Sequence, residues 1–229
     1  SNTRVMNDFN GTLNMLLMDA ERPVELKGNG SGSGSYTAYN DRKTRLASVN
    51  VRVKNGAFET SLRIPAEIEN NYSPARLTLY AWDDKGREAA GDCDRLYVYG
   101  FDESQSSDTI GPKIEQLYLN TPTFANGAVV NSSPILFARV SDESGINLSD
   151  AGVGHRMSAI IDGNLIFDDV NAYFTSDPDA DGAGTVQYPL KDIAAGKHKL
   201  LFTVWDNANN VSKQTIEFNV GAATEPAII

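Results

Sequence analysis

The clearest hydrophobic pattern in the chain is an alternation of apolar and polar positions in residues 196–220. Leu200, Phe202 and Val204 share one face of the first half, and the alternation resumes after the polar run DNANN. Side chains of a strand point alternately to its two faces, and Asp and Asn are typical of turns. The pattern therefore predicts two strands joined by a short turn.

The same design occurs earlier in the chain, in residues 76–98. When the Trp-Asp pairs that contain Trp82 and Trp205 are aligned, the apolar positions of the two preceding strands coincide. Two copies far apart do not match the blade repeat of about 40 residues in a propeller. They favour two tandem β-domains of similar design. Both Trp rings lie opposite the predicted core, so we expect them to cover a sheet edge or a domain junction, or to stack on a sugar.

Alternation and turn signals predict the remaining strands. In the first half these are residues 9–21, 47–54, 57–64, 76–82 and 95–99, with Asn55-Gly56 as a hairpin turn between the second and third. In the second half they are residues 114–119, 135–142, 155–162, 165–167, 185–190, 198–205 and 215–220. Seven short strands separated by turn signals are typical of an immunoglobulin-like sandwich.

The predicted fold class is therefore all-β, with two tandem immunoglobulin-like β-sandwich domains. The first domain occupies residues 1–101 and is expected to be truncated at its N-terminus. An acidic, Ser-rich linker follows in residues 102–112. The second domain occupies residues 113–221, and residues 222–229 would begin another linker.

Charge and cysteine content exclude several classes of function. The 229 residues carry a net charge of −10, which argues against binding to nucleic acid or to anionic lipid. No apolar run reaches the length of a membrane helix, so direct membrane insertion is not expected. Cys93 is the single cysteine, and a cysteine nucleophile needs a nearby His base. Both histidines, His155 and His198, belong to the other predicted domain, so we expect no catalytic residue and no required cofactor.

Two acidic loops are candidate calcium sites. In a sandwich, the loops after strands B and F lie at the same end, which would bring Asp142 and Glu143 close to Asp206. Hard cations bind such oxygen clusters, although Asp is also common in turns. The second candidate is the run DPDADG, with Asp177, Asp179 and Asp181. It begins like a calcium loop, but Tyr188 stands where an EF-hand needs its last carboxylate, so an acidic surface loop is the alternative.

An ordered set of short motifs resembles a known family. The motifs include DFNG at 8–11, RIPAEI at 63–68, DTIGP at 108–112, DESGIN at 142–147, GVGH at 152–155, IDGN at 161–164 and WDNANN at 205–210. They are similar to segments that follow the peptidase domain in PorU-type proteins, the gingipain-like C25 cysteine peptidases of Bacteroidetes. The resemblance extends over nearly the whole chain.

The resemblance implies a role without supplying a catalytic residue. Such proteins act as the sortase of the type IX secretion system, and their Cys/His pair lies in an upstream α/β domain. The chain would be the non-catalytic region that positions this domain, or docks cargo or secretion partners, at the cell surface. The alternative is a tandem binding module of a surface adhesin or glycan-binding protein, with Trp82 or Trp205 on the ligand face.

Overall fold

The fold was analysed in a computed structural model, which describes residues 6–25, 38–68, 72–100, 108–149 and 154–221. Within these ranges the regular structure is almost entirely β-strand, with one short 3-10 helix at Val170–Tyr173. The all-β prediction is therefore confirmed. The chain divides into two compact units, formed mainly by residues 1–105 and by residues 106–229. The immunoglobulin-like assignment and the exact domain limits stay predictions.

The first unit is built on one four-stranded antiparallel sheet and a separate two-stranded hairpin. The sheet has the order β4-β1-β5-β6, and β2 pairs with β3. The strands are β1 (Gly11–Met18), β2 (Arg22–Glu25), β3 (Ala38–Asp41), β4 (Arg45–Val53), β5 (Ala75–Asp83) and β6 (Glu88–Leu96).

Alternation along the strands separates the two faces of this sheet. Leu13, Met15 and Leu17 of β1 are buried, and they lie opposite apolar residues of β4 and β5 on the same face. Leu62 and Ile64, from the segment after β4, pack against this apolar face. The opposite face carries polar and aromatic side chains and remains largely open.

Two strand predictions in the first unit are wrong. The Asn55-Gly56 turn is present with positive φ at both residues, but only Lys54 and Ala57 pair across it. Residues 58–64 form no strand, because their apolar side chains cover the face of the sheet instead of extending its edge. The strand predicted at 95–99 is β6, which begins at Glu88 and ends at Leu96.

The second unit contains two sheets. One has the order β11-β10-β14-β15-β8 and the other the order β12-β13-β9-β7; all neighbours are antiparallel except β15 and β8. The strands are β7 (Lys113–Leu119), β8 (Ala128–Val130), β9 (Ile135–Ser141), β10 (Ser158–Ile161), β11 (Leu165–Phe167), β12 (Phe174–Ser176), β13 (Ala183–Pro189), β14 (Gly196–Trp205) and β15 (Val211–Val220).

The apolar faces of these two sheets contribute to one hydrophobic core. Leu136 and Val140 of β9 are fully buried, as are Leu200 and Phe202 of β14 in the other sheet. The seven strands predicted from sequence are all present; β11 has the predicted ends, and the other six have shifted ends. Strands β8 and β12, of three residues each, are additional because they are too short to show a period.

Candidate functional site

Each Trp-Asp pair closes a strand, and its Asp caps the following turn. In the first unit, Asp83 Oδ1 accepts hydrogen bonds from the backbone N–H groups two and four residues further on, at 3.0 and 2.9 Å. In the second unit, Asp206 Oδ1 does the same at 2.9 and 2.7 Å. The repeated sequence pattern therefore encodes a repeated turn, in which a buried carboxylate satisfies backbone donors.

In the first unit the side chain of Arg87 connects this turn to the start of the unit. Its Nε donates to Asp83 Oδ2 at 2.8 Å, and its two terminal nitrogens donate to Asp8 Oδ2 and to the Asp8 carbonyl at 2.8 and 2.9 Å. Burial raises the pKa of Asp83, but the hydrogen bonds from Arg87 and from the Lys85 N–H outweigh it and hold the pKa below its usual value. The result is a charged brace between β5, β6 and the residues before β1.

In the second unit Asn210 holds the equivalent position. Its Nδ2 donates to Asp206 Oδ2 at 2.8 Å and to the carbonyl of Asp108 at 3.0 Å. Asp108 precedes β7 as Asp8 precedes β1, so both turns are tied to the segment that leads into the first strand of their unit.

The shared pattern also includes a glycine three residues after each leading Asp. A Cβ added at Gly11 would lie 2.0 Å from the Trp82 carbonyl oxygen, and one at Gly111 would lie 2.7 Å from the Val211 carbonyl oxygen. Only glycine allows such a close approach of two backbones. The internal repeat is therefore D-x-x-G followed by W-D, which is longer than the Trp-Asp pair predicted from sequence.

Three carboxylates meet at one end of the second unit. Oxygens of Asp108, Asp142 and Asp206 lie within 4.8 Å of one another. The two loops are adjacent as expected, since Ile146 forms a β-bridge with Asp206. Glu143 is exposed and outside this group. Sequence analysis missed Asp108, although the repeated D-x-x-G would have indicated it.

Within this acidic cluster, the pKa values of Asp108 and Asp142 are shifted in opposite directions. Ser144 Oγ donates to Asp108 Oδ2 at 2.6 Å, and this bond lowers the pKa of Asp108. Asp142 accepts the N–H of Ser144 at 2.7 Å, yet burial, together with the charges of Asp206, Asp108 and Glu143, raises its pKa to about 6. Asp142 therefore takes up a proton at a higher pH than Asp108 does.

The calcium prediction for this cluster stays a prediction. The turn of Asp206 also carries two buried side-chain oxygens, of Asn207 and Asn209, that have no hydrogen-bond partner among the described residues. Against this, Asp108 already accepts the Ile110 N–H and the Ser144 hydroxyl, and Asp206 accepts N–H groups from its own turn. The side-chain oxygens of the cluster are suitable ligands for calcium. The hydrogen bonds between its loops are also sufficient for a structural clamp that contains no ion.

The second calcium candidate has a different environment. Asp177 accepts the backbone N–H of Asp179 at 3.0 Å and pairs with Arg139 at 3.1 Å. These contacts are typical of a hairpin turn between β12 and β13. Within the described ranges, Asp177, Asp179 and Asp181 are not brought together as a group of three close carboxylates. Their calcium role also stays a prediction.

The two Trp rings lie in unlike surroundings. Trp205 is partly buried and packs against His155, with ring centroids 4.3 Å apart. Trp82 is 40% exposed and stacks on Tyr80, with ring centroids 5.8 Å apart and an interplanar angle of 28°. Trp82 is therefore the more open of the two predicted binding residues.

An open cavity of about 310 Å³ adjoins Trp82 at the end of the first sheet. Its lining consists of Asn10, Gly11, Thr12, Arg52, Val53, Lys54, Trp82 and Asp84. The lining thus combines one aromatic ring with hydroxyl, amide, cationic and anionic groups. None of these side chains except Trp82 was singled out from the sequence.

Cys93 and His198, which were considered for catalysis, lie in surroundings typical of structural residues. Cys93 is half-buried on the edge strand β6. His198 bonds through Nδ1 to Asp162 Oδ2 at 2.7 Å and through Nε2 to the Ala194 carbonyl at 2.8 Å. Burial lowers the pKa of His198, but these two bonds outweigh it and raise the pKa above its usual value. This arrangement favours a doubly protonated ring that holds two loops.

Comparison with known proteins shows a similarity to a solved structure over nearly the whole chain. No protein-family model and no curated protein matches the chain. Dimeric latent PorU from Porphyromonas gingivalis is similar over 96% of this chain, with 30% sequence identity and a TM-score of 0.50. The chain resembles a region of PorU, and it spans only 21% of the PorU chain's length.

A second solved structure shows weaker likeness. CopC from Methylosinus trichosporium OB3b is 15% identical, over 48% of this chain and 99% of its own, with a TM-score of 0.28. A score this low supports no conclusion about fold or function. In the described ranges, no helix is long and apolar enough to cross a membrane.

Proposed function

We propose that this chain is a non-catalytic β-region of a PorU-like cysteine peptidase that serves as a type IX secretion sortase. The observation that carries the proposal is the similarity to PorU over 96% of the chain at 30% identity. In this role the two units position the catalytic domain of the same protein at the cell surface, or dock secreted cargo and secretion partners. The chemistry of cleavage would reside in a Cys/His pair outside these residues.

The local structure supports a scaffold role. Each unit has its own hydrophobic core, and in each the first strand is tied to a Trp-Asp turn by hydrogen bonds from one side chain. Such braces hold the leading segment of a unit in a fixed direction. A fixed direction is what a region needs if it is to place a neighbouring domain.

The test uses the native protein. An antibody raised against this chain isolates the reactive band from the membrane fraction of the source cell, and its tryptic peptides are mapped. We expect a band much larger than 24.8 kDa, with peptides from an α/β domain that contains a Cys/His pair. A band of about 25 kDa, or one composed only of β-repeats, would contradict the proposal.

A second candidate function is a binding module of a surface adhesin or glycan-binding protein. The exposed Tyr80–Trp82 pair favours it, because contiguous exposed apolar surface can mark an interaction site. The same peptide map separates the two functions, since an adhesin would show further β-repeats in place of the α/β domain.

A further inference from the structure

The open face of the first sheet presents an ordered row of side chains around Trp82. In the strand register, Trp82 lies opposite Thr12 on one side and Glu88 on the other, and Thr12 lies opposite Arg52. Paired residues of an antiparallel sheet share a face. Trp82 therefore lies on a flat surface between a hydroxyl and a guanidinium on one side and a carboxylate on the other.

A second row runs beside the first. Tyr80 lies opposite Asn14, which lies opposite Asn50, and Asn14 Nδ2 donates to Asn50 Oδ1 at 3.0 Å. The hydroxyl of Tyr80 is hydrogen-bonded to Glu88, and this bond, followed by burial, raises the pKa of Tyr80. The rings of Tyr80 and Trp82 stack on each other, so they form one contiguous exposed aromatic surface.

The cavity beside Trp82 supplies partners of every hydrogen-bonding type. Arg52 and Lys54 donate, Asp84 accepts and Thr12 can do both, while the amide of Asn10 is already bonded to the Asp8 carbonyl and the Asn55 N–H. A ligand with many hydroxyl groups matches such a mixture, because each hydroxyl also donates and accepts. The cavity's volume of about 310 Å³ is at the lower end of the range for small-molecule sites.

From this geometry we propose that the sheet face and cavity around Trp82 form a binding site for a neutral saccharide. One pyranose ring stacks on the exposed indole, because its axial C–H groups carry slight positive charge and the face of the aromatic ring is negative. Its equatorial hydroxyls reach the polar groups of the cavity. The site does not depend on whether the parent protein is a peptidase or an adhesin.

The charges of the site disfavour two other ligands. A single-stranded nucleic acid also stacks on aromatic side chains, but it needs a basic groove along its backbone. Here Glu88 and Asp84 flank the ring, the two cations of the cavity are nearly balanced, and the whole chain carries a net charge of −10. For the same reason a strongly acidic glycan gains little from this site.

The test measures glycan binding by the full 229-residue chain. An array of neutral and acidic glycans is screened first, and the best neutral oligosaccharide is then titrated by calorimetry. We expect Trp82→Ala to weaken binding by about tenfold or more and Thr12→Val to weaken it less. Tyr72→Ala is the matched control, because Tyr72 is an exposed aromatic outside the cavity lining, and its affinity should stay within about twofold of wild type.

If Trp82→Ala folds poorly, NMR spectroscopy of the wild-type protein tests the proposal instead. The chain has two Trp residues, so its indole N–H groups give two NMR resonances. The glycan should shift the Trp82 resonance and leave that of Trp205 in place. The proposal is overturned if no neutral glycan binds, if only acidic glycans bind without dependence on Trp82, or if the Trp205 resonance responds instead.

Discussion

At the scale of single residues, the environment of Asp142 has the clearest consequence for stability. Its pKa in the folded protein is about 6, whereas the ordinary value is 3.8. Between these values the folded state binds more protons than the unfolded state. The free energy of unfolding contributed by Asp142 therefore falls as the pH rises from about 4 through 6. At neutral pH the ionised carboxylate of Asp142 therefore lowers the free energy of unfolding.

We expect Asp142→Asn to stabilise the protein at pH 7 when calcium is absent. The amide keeps an acceptor for the Ser144 N–H and removes a charge that faces Asp108 and Asp206. The gain should be on the order of 1 kcal/mol after allowance for solvent screening, and it should vanish near pH 4. Thermal unfolding from pH 4 to pH 8 in a chelator measures it. Glu143→Gln, which alters an exposed neighbour, should have little effect.

The same variant separates a loop clamp from a calcium site. If the acidic cluster binds calcium, millimolar calcium will raise the melting temperature of the wild type, and Asp142→Asn will lose that rise. If the cluster acts only as a clamp, calcium will leave both melting curves unchanged. A wild type more stable than Asp142→Asn at pH 7 in chelator would contradict the argument from burial.

At the scale of elements, much of the strand pattern could be predicted from the chain. Strand β14 could be predicted because one of its faces enters the core of the second unit, as its fully buried Leu200, Phe202 and Val204 show. Residues 57–64 also alternate and were therefore predicted to form a strand. In the structure Leu62 and Ile64 pack onto the face of the sheet. The sequence pattern of such a segment is the same as that of a strand paired at the sheet's edge.

The candidate site was less predictable than the strands. The Trp-Asp repeat indicated two equivalent turns, and the loops of Asp142 and Asp206 were correctly expected to meet. The repeated D-x-x-G could have indicated Asp108 as the counterpart of Asp8, but its contacts across 36 residues to Ser144 and 102 residues to Asn210 follow from no local pattern. The cavity beside Trp82 likewise gathers residues from three separate stretches of chain.

The brace in the first unit gives a prediction about the Trp-Asp turn. Arg87→Ala removes the cation from Asp83, whose side chain is 2% exposed, and cuts both bonds to Asp8. A buried carboxylate without its partner is costly, so we expect the melting temperature of the first unit to fall by about 5–10 °C. Differential scanning calorimetry measures this change.

Two variants serve as controls for that brace. Arg87→Lys keeps the charge but lacks the planar fork that reaches Asp83 and Asp8 together, so it should recover only part of the loss. Asn210→Ala cuts the equivalent bonds in the second unit and should lower the transition of that unit instead. Equal stability of Arg87→Ala and wild type would show that the turn needs no brace.

At the scale of the whole molecule, the residue at which the second unit begins decides which fragments of the protein will fold stably. The sequence places the limit of the second domain at residue 113, after an acidic linker. In the structure, residues 108–112 group with the second unit. Asp108 lies in this stretch, and it joins the loop of Ser144 to the turn of Asn210. Part of the predicted linker therefore contributes to folding.

Fragments that start on either side of Asp108 test this conclusion. We expect residues 106–221 to unfold cooperatively, and residues 113–221 to melt about 5 °C or more lower, because the shorter fragment lacks the acceptors for Ser144 Oγ and Asn210 Nδ2. Asp108→Ala in the longer fragment controls for length; it removes the carboxylate but keeps the carbonyl, so its melting temperature should be intermediate. Equal melting of all three fragments would restore residue 113 as the start of the domain.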